Sequence, residues 1–298
     1  MWYVAWDWEG LEGHYGPGGE TPRVAYAESQ DGVHWEKPSL GLVEYRGSRD
    51  NNLVGLEAPV VWPSLLYEPD EPDPERRYKM ICKGYGGPRM KGYLDRFPQW
   101  QKAILDEDVD VTVSPLYAYR ADGLHWQLAD HNPLLHRNLE GMNFFRFGGH
   151  YFVQGHAITK WAPTTAFLLN GDRVGRTLLT YKSPDLVHWS EGLALSFLRH
   201  GYHSAPQGTV EEAHTINGAW SRSNLVLSAY GQWHGSTEID ARSMDLGLLV
   251  SNDGLYFREP IADFSLLPRG EPGSWDGASL WEVSPESGRE DLPVLRRG

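Results

Sequence analysis

The sequence predicts an all-β fold, a β-propeller of four-stranded blades, from three observations: a hairpin motif that recurs four times, strand pairs that recur between its copies, and an aromatic, turn-rich composition. The motif is Tyr26-Ala-Glu-Ser-Gln-Asp31-Gly-Val-His-Trp35. It returns as Tyr119-Arg-Ala-Asp122-Gly-Leu-His-Trp126, as Tyr181-Lys-Ser-Pro-Asp185-Leu-Val-His-Trp189 and as Val250-Ser-Asn-Asp253-Gly-Leu-Tyr-Phe257. Asp closes a turn by bonding the backbone ahead of it, and Gly accepts a positive φ without steric cost. The copies stand about 60 to 90 residues apart, too far for one hairpin and suited to a four-stranded sheet.

Between the hairpins, the second repeat has Leu56-Glu-Ala-Pro-Val-Val-Trp62, a polar turn at 68–76 and Arg77-Tyr-Lys-Met-Ile-Cys-Lys83. The third has Met142-Asn-Phe-Phe-Arg-Phe147, a Gly148-Gly149 turn and His150-Tyr-Phe-Val-Gln154. The fourth has Glu212-Ala-His-Thr-Ile-Asn217 and Ser223-Asn-Leu-Val-Leu-Ser-Ala-Tyr230. Each repeat thus reads strand, strand, hairpin. Met1-Trp-Tyr-Val aligns with a second strand, and Trp275-Asp-Gly-Ala-Ser-Leu-Trp-Glu-Val283 reads as a first strand. Residues 1–298 are therefore expected to be one domain with incomplete first and last blades. Either the terminal strand closes a four-bladed ring, or the chain is part of a larger one. An insertion at 84–113 carries a short predicted helix after Pro98 and suits the border of a binding mouth.

Thirteen Trp, 15 Tyr, 33 Gly and 20 Pro fit short aromatic strands and tight turns. A net charge of −13 disfavours nucleic acid and anionic membrane as partners. Cys82 is the chain's one cysteine, which excludes an intrachain disulfide and a cysteine-based zinc cluster. No signal-like or membrane-spanning run appears, so the expected location is the cytoplasm, or outside the cell if the true amino terminus lies upstream.

In a propeller the innermost strands bring their entry positions to one mouth. Those positions hold Glu57, Glu140 with Asn143, Glu211 or Glu212 with His214, and Asp276. Glycoside hydrolysis needs two carboxyl groups flanking the scissile bond. The candidate catalytic set is Glu57, Glu140, Glu212 and Asp276; carboxylates at strand starts also serve as ordinary turn and cap residues. Glu211 and Glu212 must face opposite ways on a strand, and Glu212 shares its face with His214. Trp62, Trp233, Trp275 and His234, with Asn143 and His214, are the candidate sugar-binding residues, aromatic faces suiting sugar rings; packing between sheets is the other use for each Trp. Trp35, Trp126, Trp189 and Phe257 recur with the hairpin and are expected to pack; His34, His125 and His188 are expected at turns. No phosphate loop, nucleophile elbow or zinc-binding His pair is present, and no cofactor or metal is expected.

The run Val24-Ala-Tyr-Ala-Glu-Ser-Gln-Asp-Gly-Val-His-Trp-Glu-Lys-Pro-Ser-Leu-Gly-Leu-Val-Glu-Tyr45, followed by Gly47-Ser-Arg-Asp-Asn-Asn52, resembles the opening blade of the five-bladed propeller glycoside hydrolases. That superfamily takes in invertase and levanase relatives and the arabinanase and xylosidase group, glycosyl hydrolase families 32 and 43. The resemblance implies a five-bladed ring and three acidic residues in a funnel, with Glu140 and Asn143 matching the acid and Asn of a middle blade and Glu212 the acid of the next. The Asn-Asp-Pro and Arg-Asp-Pro signatures of the invertase group are absent, and the strand holding the superfamily's nucleophile would precede Met1. The leading expectation is a glycosidase-type enzyme acting on a glycan. The alternatives are a non-catalytic carbohydrate-binding or interaction module and, third, a sialidase-like protein using Arg146, Arg222 and Arg242.

Overall fold

Each of the four Asp-centred motifs folds as a tight turn closed by its own side chain. Asp31 Oδ1 accepts from the amides of Val33 and His34 at 2.8 and 2.7 Å. Asp122 does the same with Leu124 and His125, Asp185 with Val187 and His188, and Asp253 with Leu255 and Tyr256. Gly32, Gly123 and Gly254 follow with φ of 74°, 69° and 76°. In the third copy Leu186 takes the same left-handed backbone at φ 67° and is buried, so apolar burial offsets the strain of a side chain there. His34, His125 and His188 are exposed and donate from Nδ1 to the Asp Oδ2 atoms at 2.6, 2.7 and 2.7 Å. Trp126 and Phe257 are buried in apolar cores, whereas Trp35 and Trp189 donate their indole N–H to Gly32 O and Leu186 O.

The computed structural model describes residues 1–5, 22–56, 58–84, 114–135, 139–159, 167–169, 172–190, 194–199, 210–235, 243–271, 274, 276–277, 283–284 and 294–295. It divides into two units, Met1–Asn138 and Leu139–Gly298.

In the first unit, β1 (Trp2–Ala5) pairs antiparallel with β2 (Arg23–Tyr26). A four-stranded antiparallel sheet runs β3 (Val60–Tyr67), β4 (Tyr78–Gly84), β5 (Pro115–Arg120), β6 (Gln127–Leu128) in chain order. The β3–β4 connection holds a 3-10 turn at Pro74–Arg76, capped by Asp73 Oδ1 accepting from Glu75 N. Met80 and Cys82 alternate along one face of β4 and pack with Val24, Val60, Leu116 and Trp126. Burial pushes the Cys82 thiol up to about 12. Residues 85–113, the bulk of the expected insertion and its helix, lie outside the described residues.

In the second unit one sheet has the order β11-β10-β8-β7, formed by β7 (Glu140–Phe147), β8 (His150–Thr159), β10 (Asp172–Ser183) and β11 (Ala194–Phe197). A fifth strand, β9 (Phe167–Leu169), pairs with the start of β10. The other sheet runs β12 (Val210–Arg222), β13 (Leu225–Gly235), β14 (Ser243–Ser251), β15 (Ser265–Leu267), and β16 (Val283–Ser284) pairs with β17 (Val294–Leu295). Phe145, Phe152, Leu178, Ala213, Tyr230 and Leu249, drawn from both larger sheets, share one buried cluster. Phe145 and Phe152 stack across β7 and β8 with centroids 5.1 Å apart.

The expected propeller is corrected. Among the described residues the strands form separate open antiparallel sheets, and none closes into a ring or barrel. The terminal strands do not complete a sheet of another repeat, since β1 pairs with β2 and β16 with β17. The physical reason lies in the motif itself. Its Asp is satisfied by amides two and three residues away, so it specifies a local turn and carries no information on how sheets are arranged. The fold class is all-β, built of open antiparallel sheets.

Candidate functional site

In the second unit, a bulge in β7 places the first candidate residue. Glu140 pairs with His156 of β8, and Met142 pairs with Gly155, so Gly141 is the extra residue. Gly141 has φ 53°, and a Cβ there would come within 2.8 Å of Thr215 O and Oγ1. Only glycine meets both demands. On β12 a second bulge lies between Thr215 and Gly218. The Gly218 amide that it frees donates to Asn143 Oδ1 at 2.7 Å, and Asn143 Nδ2 donates to Gln154 Oε1 and Ser228 Oγ at 2.9 and 3.1 Å. Asn143 is therefore a buried tie among four strands.

Five strands contribute to a cluster of charged and aromatic groups. Arg176 of β10 spans two carboxylates, its Nε 3.4 Å from Glu140 Oε2 and its Nη1 3.1 Å from Glu212 Oε2. The Arg176 amide also donates to Glu212 Oε1 at 3.1 Å. His156 Nε2 lies 3.3 Å from Glu140 Oε2, and His214 Nε2 lies 3.6 Å from Glu212 Oε2. The imidazoles of His156 and His214 sit 4.5 Å apart, and Trp233 of β13 stacks on His214 at 5.1 Å. In the β12–β13 register Glu212 pairs with Trp233 and His214 with Gly231, so His214 and Trp233 are diagonal neighbours on one face.

The two carboxylates differ in environment. The Glu140 side chain is 36% exposed and that of Glu212 is 1% exposed. Burial raises the Glu212 carboxyl, but the His214 contact and the Arg176 charge outweigh it and hold the group below its ordinary range. Burial, reinforced by neighbouring His214, lowers His156 to about 3, and burial likewise lowers His214. Both imidazoles are neutral at pH 7. The site therefore offers one accessible carboxylate, one sequestered anion, a shared guanidinium and a flat aromatic wall.

Glu211 faces the other way on β12 and belongs to a second network. Arg199 donates from Nε to Glu211 Oε2 at 2.8 Å, from Nη1 to Tyr230 Oη at 2.8 Å and from Nη2 to Asp263 Oδ1 at 2.7 Å. Tyr230 Oη donates to Glu259. His234, expected among the sugar-binding residues, lies here: Nδ1 is 2.7 Å from Glu211 Oε1 and Nε2 is 3.2 Å from Asp245 Oδ2. Burial lowers His234, but the two carboxylates outweigh it and the net shift is upward.

The structure thus brings together Glu140, Glu212, His214 and Trp233 of the expected set. Asp276 lies in a turn after β15, where Oδ1 accepts from Ser274 Oγ at 2.9 Å. Trp62 belongs to the first unit; it sits at a bulge of β3 with φ 53° and carries the Lys83 ammonium 4.8 Å over its ring. Glu57 and Trp275 lie outside the described residues. Arg176, Thr215 and His156 stood outside the candidate set. Among the described residues no group of three or more His, Cys, Asp or Glu side chains is arranged to hold a metal ion, and no helix is long and apolar enough to cross a membrane.

No protein-family model matches the chain, and no curated protein matches it. Solved structures do. A glycosyl hydrolase from Bacteroides ovatus aligns with a TM-score of 0.56 at 16% identity, covering 95% of this chain and 72% of its own. A structure reported with the GH130 family of mannoside phosphorylases, described as containing glycoside hydrolases that target β-1,2 mannosidic linkages in Candida mannan, aligns at 0.54 and 15% identity over 95% and 72%. A glycoside hydrolase from Parabacteroides distasonis, so described without established activity, aligns at 0.54 and 15% identity over 95% and 75%. At such identity the likeness is one of architecture: this chain has a β-rich fold similar to those of the glycoside hydrolases named.

Proposed function

We propose that the chain is a glycoside hydrolase-like protein acting on a carbohydrate, with Glu140 as the reacting carboxylate. The observation that carries this reading is the single guanidinium of Arg176 joining an accessible carboxylate to a buried one. That bridge keeps the two carboxylates on either side of one guanidinium, within reach of one bound sugar. Glu140 suits an ionised nucleophile or base, since it faces solvent and receives two donors. Glu212, buried and held ionised, suits a fixed negative charge that stabilises an oxocarbenium-like transition state, and the leaving oxygen takes its proton from water. Trp233 supplies an apolar face for a sugar ring. The likeness to glycoside hydrolases supports the reaction class and leaves the sugar and linkage to experiment.

A carbohydrate-binding role without turnover is the second reading, favoured by one observation: Arg176 contacts both carboxylates, so neither is set up as a proton donor. A panel of aryl glycosides separates the two. Turnover by the parent protein, reduced about 10²- to 10⁴-fold in Glu140→Gln, is expected. Equal turnover by Glu140→Gln and parent overturns the assignment of Glu140. Absence of turnover together with glycan binding selects the binding reading.

A further inference from the structure

His156 is buried behind Glu140, and each of its ring nitrogens meets a group whose hydrogen-bonding role is fixed. The Thr215 amide can only donate, and it lies 3.0 Å from His156 Nδ1. A carboxylate can only accept, and Glu140 Oε2 lies 3.3 Å from Nε2. The two sides agree: Nδ1 is bare and Nε2 carries the proton. The Thr215 hydroxyl has one hydrogen, which a bare Nδ1 accepts at 2.8 Å; Gly141 O and Glu140 O lie 2.8 and 3.0 Å from the same oxygen.

We propose that His156 is a positioning residue, locked by Thr215 as the Nε2–H tautomer, which acts by donating to Glu140 and aiming its carboxylate outward. The inference rests on the reading of Glu140 as the reacting group. The charged and titratable groups facing His156 are Glu140 from β7, Arg176 from β10 and His214 from β12. The Arg176 charge and burial both oppose an imidazolium, so the ring stays neutral. His156 is thereby barred from taking a proton from substrate. Its role is a constant hydrogen bond, which a glutamine side chain can supply and a leucine cannot.

The test uses the full chain labelled with 15N and 13C. Side-chain proton–nitrogen spectra between pH 5 and 8 are expected to show one histidine in the neutral Nε2–H form throughout, with a contact from its ring to the Thr215 amide. An Nδ1–H pattern for that ring, or a protonation midpoint inside the range, overturns the proposal. The carboxyl carbon of Glu140 gives the second readout. Its midpoint is expected to rise by about one unit in His156→Leu and to move by less than about 0.3 in His156→Gln. Identical midpoints in parent and both variants also overturn it. The spectra of the parent need neither a variant that folds nor turnover of any glycoside, so failure of the glycosidase reading and failure of this inference are told apart.

Discussion

Gly141 is the residue on which the candidate site turns. Its φ of 53° and the 2.8 Å clearance to Thr215 leave no room for a methyl group. Gly141→Ala must either distort the bulge that presents Glu140 or push β12 away. We expect a loss of about 1–3 kcal/mol in urea denaturation, accompanied by loss of whatever glycoside turnover Glu140 supports. An unchanged midpoint would show that the bulge adapts. Glu140 and Glu212 were legible in the sequence because carboxylates at corresponding strand starts form a pattern. Arg176 was not legible: it stands among Thr and Leu in β10, 36 positions from each carboxylate it bridges, and nothing in its neighbours marks it.

Elements are held in register by side chains that complete broken ladders. Asn143 is the clearest example, since it satisfies the amide freed by the β12 bulge and at the same time bonds Gln154 and Ser228. Asn143→Ala is expected to cost about 1–3 kcal/mol, the penalty of a buried amide left unmade. A change below about 0.5 kcal/mol would argue that β12 closes its own bulge. The sequence placed Asn143 beside a sugar, because its position after Glu140 matched a family pattern; the β7–β12 approach that explains its burial is a contact between residues about 75 positions apart. The Asp hairpins were legible for the opposite reason, each being complete within a few residues.

At the scale of the whole molecule, protonation acts from both sides of neutrality. His156 and His214 have lowered folded values, so the unfolded chain takes up their protons first, and stability falls as pH drops below about 6.5. Glu211, Glu212 and Asp245 are also lowered, and their contribution is lost further down, as pH falls from the ordinary carboxylate range through their folded values. His234 runs the other way: its raised value gives stability that is complete below about 6.5 and is lost as pH rises through the folded value. Unfolding free energies from urea titrations between pH 4 and 8 should therefore fall more steeply on the acid side, by about 1.4 kcal/mol per pH unit for each proton taken up. A flat acid limb would remove the buried neutral imidazoles from the account. The arrangement of the sheets was the least legible level, because four copies of a self-contained turn say how hairpins close and leave larger assembly unspecified.

Cys82 sits fully enclosed in the middle of β4 with its thiol held protonated. Neither an oxidant nor a second polypeptide can reach that sulfur while the strand keeps its place. Thiol oxidation is consequently closed to the folded chain at Cys82, and a disulfide between copies marks molecules that have already come apart.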